Sequence, residues 1–178
     1  PRILSSAASD VYKRQMLGGE NFFLGKYEHP NGGSLTFAPS IPGHVEHRQL
    51  SNNSLNVMAG CFLACTSGVN IKAKFGGLKA FFSGEGAFLL EASGSGDLFF
   101  NSFGGIVKKE INGEFIVDTG HVVAFDSSLN YSITGMGNFK STMLSGEGLV
   151  MKFKGAGTLY LQTRNVSSVA SWLTPRLL

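Results

Sequence analysis

The string Asp118-Thr119-Gly120-His121 combines the residue types in this sequence that are best suited to chemistry. A carboxylate and an imidazole three positions apart can act as an acid–base pair, because histidine titrates near neutral pH and a carboxylate can orient its ring. The alternative is a structural turn in which His121 only makes a hydrogen bond. Asp-Thr-Gly also suggests an aspartic protease, but that chemistry needs two such loops, and the sequence contains one. A protease is therefore excluded, and Asp118 and His121 are candidate ligand-binding residues.

A second candidate site comprises three glutamates that each follow a glycine, namely Glu20, Glu85 and Glu147. Three carboxylates that meet on a pseudo-threefold axis can hold a cation, because hard cations prefer oxygen ligands. The alternative is that each glutamate accepts hydrogen bonds from backbone N–H groups in a glycine-rich corner of the fold. If the same glycine-rich turn of the backbone recurs in each repeat, it needs the same residue each time. The sequence therefore leaves both interpretations open.

The remaining histidines and cysteines do not form a recognisable site. His44 and His47 are three residues apart, so on a strand they face opposite sides and cannot share a metal ion. Cys61 and Cys65 lie about 13 Å apart along a strand, whereas a disulfide needs Cα atoms within about 7 Å. No nucleophile elbow, phosphate-binding loop or paired Cys-x-x-Cys motif occurs in the sequence. We therefore predict no metal, no cofactor, no catalytic residue and no enzymatic activity.

The charge distribution argues against nucleic acid as the partner. The 178 residues carry 15 Lys and Arg and 12 Asp and Glu, a net charge of +3. Residues 1–15 contain three of the basic residues and one of the acidic residues, so the rest of the chain is close to neutral. The sequence pI of about 9.0 is therefore weak evidence for nucleic-acid binding. No run of 18 apolar residues occurs in the sequence, so no membrane span is predicted.

Several sequence elements recur along the chain. The glutamates of the three Gly-Glu pairs lie 65 and then 62 residues apart, and glycine-marked strand sequences follow at 33–37, 96–100 and 157–161. Residues 57–64 likewise resemble residues 117–124. A period of this length indicates a duplicated supersecondary unit. Residues present in every copy are expected to serve the fold, and a site is expected where the copies differ.

The composition favours short strands joined by glycine turns, because the chain contains 24 Gly and 15 Phe. A helix is predicted only over residues 166–173, with Ser167 as its cap and Pro175 as its stop. Turns are predicted at 30–33, 94–96, 112–113 and 155–157, with Asn-Gly at 112–113 as the strongest hairpin signal. Strands are predicted at 20–27, 33–38, 44–50, 54–59, 61–66, 69–75, 86–92, 96–102, 105–110, 114–118, 121–126, 129–134, 147–153 and 157–163.

Residues 1–15 match no repeat and show no strand alternation, so we interpret them as a non-native or disordered leader. Residues 5–15 resemble a translated sequencing adapter, and an amphipathic targeting segment is the alternative. They contain no continuous apolar region of the kind found in signal peptides. Residues 16–178 then form a single domain with internal repeats. We expect this domain to be N-terminally truncated, because nothing before Leu17 resembles the element at 57–64.

Five motifs together resemble the altered-inheritance-of-mitochondria protein 24 family, in the right order over about residues 16–178. They are Leu-Gly-Gly-Glu at 17–20, Gly-Glu-Gly at 84–86, Val-Asp-Thr-Gly-His at 117–121, Ser-Gly-Glu-Gly-Leu-Val at 145–150 and Leu-Gln-Thr-Arg at 161–164. The resemblance implies a fold of the superfamily named after TRAP, the tryptophan-binding RNA attenuator protein. This is an all-β, three-unit TRAP-like sandwich, similar to a double-stranded β-helix, with a short C-terminal helix. It also implies that three chains assemble into a ring.

The resemblance implies little about the molecular role, because a fold does not fix a function. We expect a non-enzymatic oligomeric scaffold or binding protein with an unknown protein partner, cytoplasmic if the source is bacterial and mitochondrial if it is eukaryotic. One alternative is a small-ligand-binding or metal-binding protein with its site at Asp118 and His121 or at the repeated glutamates. Another is RNA binding by analogy with TRAP, although the ligand-binding residues of TRAP do not carry over to this sequence.

Overall fold

The computed structural model describes residues 13–16, 23–28, 30–74, 89–135 and 149–176. Most of these residues lie in β-strands, and the α-helix among them is near the C-terminus. The predicted all-β fold with a short C-terminal helix is therefore confirmed. Within the same ranges, every helix is too short or too polar to cross a bilayer.

The described residues form ten strands and one α-helix. Four of the strands, β3, β6, β7 and β10, are 13 or 14 residues long. Single turns of 3-10 helix lie at Ala59–Cys61, Thr119–His121 and Thr174–Arg176. The elements are β1 (Lys13–Met16), β2 (Phe23–Lys26), β3 (Val45–Met58), β4 (Phe62–Cys65), β5 (Val69–Lys74), β6 (Leu89–Asn101), β7 (Ile106–Asp118), β8 (Val122–Asp126), β9 (Asn130–Gly135), β10 (Leu149–Gln162) and α1 (Val166–Leu173).

Strands β3 to β10 form one antiparallel sheet. Its main order is β4-β6-β3-β8-β10-β7, while β5 pairs with β6 and β9 pairs with β10. Strands β1 and β2 form a separate two-stranded sheet. The short strand β8 joins the two parts of the large sheet, because it pairs with β3 on one side and with β10 on the other. Its residues 122–125 are all buried, so β8 is the central strand of the domain.

The large sheet consists of two halves with the same order of elements. The first half (residues 45–101) and the second half (residues 106–162) each contain a long strand, a 3-10 turn, two short strands and a second long strand. In each half the last strand pairs with the first over its whole length and with the two short strands on its other side. This similarity supports a duplicated unit, while the count of three TRAP-like units stays a prediction.

Each half has its own hydrophobic core. The first is built mainly from β3, β4, β5 and β6, and the second mainly from β7, β8, β9 and β10. Fully buried aromatic rings lie in both, with Phe100 edge-on to Tyr160 in the first and Phe125 edge-on to Phe153 in the second. Tyr160 belongs to the first core although β10 belongs to the second half. The two cores are therefore linked through β8 and β10.

The predicted turns at 94–96, 112–113 and 155–157 are wrong, because these residues lie inside β6, β7 and β10. Two of the glycines explain the error. Gly94 and Gly155 have φ angles of 122° and 128°, which side chains disfavour. A Cβ at Gly94 would lie 2.4 Å from the Gly68 carbonyl oxygen, so the turn between β4 and β5 packs directly on β6. The glycines mark bends within long strands rather than strand ends.

Bends within the long strands also explain why more strands are predicted than observed. Each long strand was predicted as two shorter ones, for example 44–50 and 54–59 in place of β3. The break at the middle of β3 is a bulge around Asn52, whose φ is 55°. A bulge inserts one residue without ending the pairing. Strand alternation was therefore recognised correctly, and its interruptions were misread as turns.

Three predictions near the ends of the chain need correction or remain open. No strand forms at 33–38, although Pro30 and Asn31 form the predicted turn. Helix α1 is capped by Asn165 and not by Ser167, because Asn165 Oδ1 accepts hydrogen bonds from Ser167 N (2.9 Å) and Ser168 N (3.5 Å). Strand β1 includes residues 13–15 of the expected leader. Residues 1–12 lie outside the described ranges, so the leader stays a prediction.

Candidate functional site

The predicted site at Asp118 and His121 is a tight turn between β7 and β8. Asp118 is the last residue of β7, and its Oδ1 accepts a 2.7 Å hydrogen bond from Gly120 N. This bond caps the 3-10 turn, because a side-chain oxygen at the start of a helical turn replaces a missing backbone acceptor. The equivalent turn in the first half begins at Met58, which makes no side-chain cap. Asp118 therefore acts as a cap in the fold.

His121 is held by strand β10 rather than by Asp118. Its Nδ1 lies 2.8 Å from the Gln162 carbonyl oxygen. A carbonyl oxygen only accepts hydrogen bonds, so Nδ1 must donate, and the neutral ring then carries its lone pair on Nε2. The two side chains proposed as an acid–base pair are thus each bonded to a backbone group. The structure places them on the same turn without joining them in a relay.

Gln162 connects this turn to other segments of the chain by two side-chain hydrogen bonds. Its Nε2 donates to the Gly120 carbonyl oxygen at 2.7 Å, and its Oε1 accepts from Phe103 N at 2.9 Å. The same residue thereby connects the 3-10 turn, strand β10 and the loop between β6 and β7. Sequence reasoning used Gln162 only as part of a family motif and missed this role, because the three segments are far apart along the chain.

Gly120 is required by the close approach of helix α1. A Cβ at this position would lie 2.0 Å from Asn165 Nδ2 and 2.9 Å from Asn165 Cγ. Asn165 cannot move away without losing the hydrogen bonds with which it caps α1. At the equivalent Gly60 in the first half, an added Cβ would meet nothing within 4 Å. The string 118–121 is therefore a junction between β7, β10 and α1.

The other predicted site residues do not come together in the described part of the chain. Glu20, Glu85 and Glu147 all lie outside the described residues. Within the described ranges, no group of three or more His, Cys, Asp or Glu is arranged to hold a metal ion. His44 lies 3.6 Å from Glu46 and His47 lies 2.8 Å from Asp97, so the two histidines have separate partners as expected.

Both cysteines are free thiols. Burial raises the pKa of Cys61 to about 12 and also raises the pKa of Cys65. A thiol of such high pKa is almost wholly protonated at neutral pH and is a poor nucleophile and metal ligand. Cys61 lies in the first core, and Cys65 packs against it.

A polar network around the buried Tyr160 was not predicted from the sequence. Arg48 on β3 donates from Nη1 to the Tyr160 hydroxyl at 2.9 Å, and its Nη2 lies 3.5 Å from Asp126 Oδ1 on β8. The other carboxylate oxygen of Asp126 accepts from Thr158 N at 2.8 Å. Glu110 in turn accepts from the Thr158 hydroxyl at 3.2 Å. The network therefore connects β3, β7, β8 and β10.

The same network extends to the surface through Lys108. Its Nζ lies 3.2 Å from Glu46 Oε1 and 5.3 Å from the centre of the Tyr160 ring. The hydrogen bond to Glu46 raises the pKa of Lys108. Since Arg48 and Lys108 both face carboxylates, the network fits a structural link between the two halves better than a binding site for a charged ligand. The adjacent charged residues at 46–48 and 108–110 were its only signal in the sequence.

Large apolar side chains are exposed at several places on the described surface. Ile116 on β7 and Trp172 on α1 are each 59% exposed, and Val107 on β7 is 47% exposed. Helix α1 has no buried residue at all. Leu35 and Phe37 are also exposed, in the segment where the predicted strand did not form. These side chains are the surface features least explained by the packing of a single chain.

The order of motifs and the all-β fold agree with a match to a known family. The family model described as "Mitochondrial biogenesis AIM24" matches residues 5–164. The chain belongs to this family. The resemblance seen in the sequence is thereby confirmed for the AIM24 family, and the match begins inside the segment that we interpreted as a leader.

Two relatives of the chain come from Streptococcus pyogenes. One is a protein of serotype M6 described as uncharacterized, which is 32% identical over 163 residues and is matched by 90% of this chain. The other is a protein with an X-ray crystal structure, also 32% identical, which gives a TM-score of 0.70 over 81% of this chain. The present chain spans 66% of the length of the first relative and 63% of the second. Neither description states a molecular role.

Proposed function

We propose that this member of the AIM24 family is a non-enzymatic oligomeric scaffold or binding protein and that it assembles as a homotrimer. The observation that carries the proposal is the exposure of Ile116 on a sheet edge and of Trp172 on helix α1. The fold of the single chain leaves these apolar side chains in solvent, and contact with another protein molecule would bury them. The partner surface belongs to another copy of the chain or to an unidentified protein.

The use of the polar residues supports a binding role over catalysis. Asp118 caps a turn, His121 bonds to a backbone carbonyl, and Arg48 and Lys108 are paired with carboxylates. A catalytic group has to reach a substrate with a free donor, acceptor or nucleophile. The polar side chains named here are instead engaged in holding the strands and turns of the fold.

The repeated order of elements supports a TRAP-like ring. Units of one kind that meet through sheet edges form rings when the rotation between neighbours closes. The two halves already meet in this way through β3 and β8. A trimer extends the same kind of contact to further copies. We place the protein in the cytoplasm of a bacterial source, in keeping with its streptococcal relatives, or in mitochondria of a eukaryotic source, in keeping with the family description.

A small-ligand or metal site at His121 is the alternative, and one observation favours it. Because Nδ1 donates to the Gln162 carbonyl, the ring is fixed with the Nε2 lone pair as its remaining acceptor. Metal-binding histidines are commonly oriented by such a hydrogen bond from the other ring nitrogen. Asp118 would supply an oxygen ligand at this site, and the repeated glutamates are the alternative location for a ligand or metal. RNA binding by analogy with TRAP is the third option.

Native mass spectrometry over a range of protein concentrations tests the proposal. We expect three copies per particle and no retained metal. The same samples, analysed by inductively coupled plasma mass spectrometry, report any bound metal, and His121→Ala serves as the control for a site at this histidine. A titration with single-stranded RNA at two salt concentrations tests the third option, because phosphate contacts weaken as salt rises.

A particle that stays monomeric at every concentration would contradict the oligomeric scaffold. Metal present in the unmodified protein and lost in His121→Ala would support the alternative site instead. Salt-sensitive RNA binding would support the TRAP-like role and count against a protein scaffold.

A further inference from the structure

The sequence contains the dipeptide Asn-Gly twice, at Asn31-Gly32 and at Asn112-Gly113. An asparagine that precedes glycine loses its side-chain amide most easily, because glycine has no side chain to hinder attack by its backbone nitrogen. These four residues are all exposed, and an added Cβ would meet nothing within 4 Å at either glycine. The two dipeptides are therefore alike in residue type and in exposure, and they differ in the backbone structure around them.

The loss of the amide is a reaction between two neighbouring residues. The backbone nitrogen of the glycine attacks Cγ of the asparagine, gives up its proton and forms a five-membered imide, while the side-chain amide leaves as ammonia. Water then opens the imide at either of its two carbonyl groups. The products are aspartate and isoaspartate, in which the chain continues through Cγ. Water is consumed and ammonia is released, so the reaction needs no other reactant.

Strand pairing opposes this reaction at Asn112. The glycine nitrogen reaches Cγ only if the asparagine rotates about its Cα–C bond. Asn112 lies in the middle of β7, and Gly113 lies opposite Gly155 of β10 in a ladder that continues on both sides without a register shift. The next residue, Glu114, is held by Lys152, whose Nζ lies 2.8 Å from Glu114 Oε2. Rotation at Asn112 would therefore break the pairing of β7 with β10.

The backbone around Asn31 has no comparable constraint from a sheet. Asn31 lies in a turn with Pro30, and Gly32 follows with a φ angle of 73°. The turn is a local structure, because proline fixes its own φ and glycine adopts a positive φ at little cost. Residues 30–42 form no strand in the described part of the chain. Rotation at Asn31 therefore breaks no strand pairing.

We infer that Asn31 is a site of spontaneous deamidation in the folded protein and that β7 protects Asn112 from the same reaction. The modification adds a negative charge three residues after Glu28, which already pairs with Lys26. Isoaspartate also lengthens the backbone of the turn by one carbon atom and is a substrate for methyltransferases that act on isoaspartyl groups. This modification is independent of the proposed oligomeric function.

Peptide mapping by mass spectrometry after incubation of the purified protein measures both sites in the same sample. Asn31 should convert at least about tenfold faster than Asn112, a ratio that corresponds to about 1.4 kcal/mol for local opening of the strand. Aspartate and isoaspartate peptides separate by chromatography, and methylation by an isoaspartyl methyltransferase identifies the second product. The rate at Asn31 should rise with pH, because the attacking nitrogen must lose its proton.

The same protein unfolded in urea is the matched control. Both dipeptides are then free of the fold, so Asn31 and Asn112 should react at similar rates. Asn31→Gln should abolish the reaction at this position, because the longer side chain disfavours the five-membered ring, and it should leave the rate at Asn112 unchanged.

Equal rates at the two sites of the folded protein, or faster conversion of Asn112, would overturn the inference. So would an Asn31 that stays intact in the folded protein for a time in which the unfolded protein converts. A difference between the sites that persists in urea would assign it to local sequence and would overturn the protective role of β7.

Discussion

The 3-10 turns at Ala59–Cys61 and Thr119–His121 occupy the same place in the two halves and differ in what surrounds them. In the first half the turn has no side-chain cap and ends in the buried Cys61. In the second half it is capped by Asp118 and ends in His121, which bonds to β10. The second turn lies against Asn165 at the start of α1, and no residue in the described ranges crowds the first in this way. Polar residues at 118–121 are therefore explained by their neighbours in the fold.

The two halves have the same order of elements, so their residues can be compared position by position. At Gly94 and Gly155, within the long strands, the two halves share a residue because they share a backbone conformation with positive φ. Where they differ, the surroundings differ too, and a difference is not by itself evidence of a catalytic or binding site. Four changes to paired positions, ordered by expected effect, test how far the halves are equivalent.

The largest effect is expected from removing equivalent core leucines. Leu98 of β6 and Leu159 of β10 are both fully buried. Leu98→Ala and Leu159→Ala should each lower the free energy of unfolding by about 2–5 kcal/mol, the usual range for a buried leucine. Each should still give a single urea transition by circular dichroism, because β8 connects the two cores. Two separate transitions, with each variant shifting only one of them, would show that the halves unfold independently.

The next largest loss of stability is expected at the glycine bends of β6 and β10, and it should differ between the two halves. Gly94 and Gly155 both have positive φ, but an added Cβ would meet a backbone oxygen at 2.4 Å in the first case and at 3.3 Å in the second. Gly155→Ala should cost about 1–3 kcal/mol from backbone strain alone. Gly94→Ala should cost more, by about 1 kcal/mol of overpacking. Equal losses in thermal or urea denaturation would mean that the turn at Gly68 can move away from β6.

A smaller, pH-dependent effect on stability is expected at Cys61. The pKa of Cys61 is raised by burial from 9.0 to about 12 in the folded chain. The unfolded thiol loses its proton above about pH 9 while the folded thiol keeps it, so the stability from this group is complete below pH 9. It is then lost by about 1.4 kcal/mol per pH unit as the pH rises toward 12. Urea denaturation between pH 8 and 10.5 measures this slope.

Cys61→Ala is the variant that isolates this slope. Other groups titrate in the same range, so the quantity to compare is the change in stability with pH, not its absolute value. The variant should fall less steeply above pH 9 than the unmodified protein. Parallel pH profiles would show that the Cys61 thiol is not shielded from water.

The smallest of the four effects concerns the glycines of the two turns. Gly120→Ala should displace Asn165 and weaken the cap of α1, at a cost of about 1 kcal/mol. Gly60→Ala, where an added Cβ meets nothing within 4 Å, should change stability by less than about 0.5 kcal/mol. Thermal denaturation compares the two variants, and Asn165→Ala should reproduce most of the Gly120→Ala loss. A larger loss of stability in Gly60→Ala than in Gly120→Ala would show that the first turn, and not the second, is the crowded one.

Much of the fold was predictable from local sequence patterns. Alternating apolar residues located most of the strands, and the spacing of Val166, Val169 and Trp172 located α1. The wrong predictions of turns and strands have a common cause. A short sequence pattern suggested one structure, but contacts with residues far away in the sequence decided another. Gly94 signals a turn in sequence, yet in the fold it accommodates the turn at Gly68. Residues 33–38 alternate like a strand, yet no strand in the described part of the chain pairs with them.

The candidate site was predictable only as a list of residue types. The sequence drew attention to Asp118 and His121 because they differ from the other copy, but their partners could not be inferred. Gln162 lies 41 residues after His121, and Tyr160 lies 112 residues after Arg48. Contacts over such separations depend on which strands become neighbours. The network around Tyr160 was missed for this reason.

Sedimentation equilibrium of the unmodified protein, Ile116→Asp and Val107→Asp tests the central claim that Ile116 lies in the contact between copies. The unmodified chain of 19.0 kDa should give the mass of a trimer, about 57 kDa. Ile116→Asp should shift the equilibrium to single chains, because a charge would be buried in the contact between copies, whereas Val107→Asp, at the other end of β7, should remain a trimer. A trimer that is equally stable in all three proteins, or a single chain in the unmodified protein, would contradict the account.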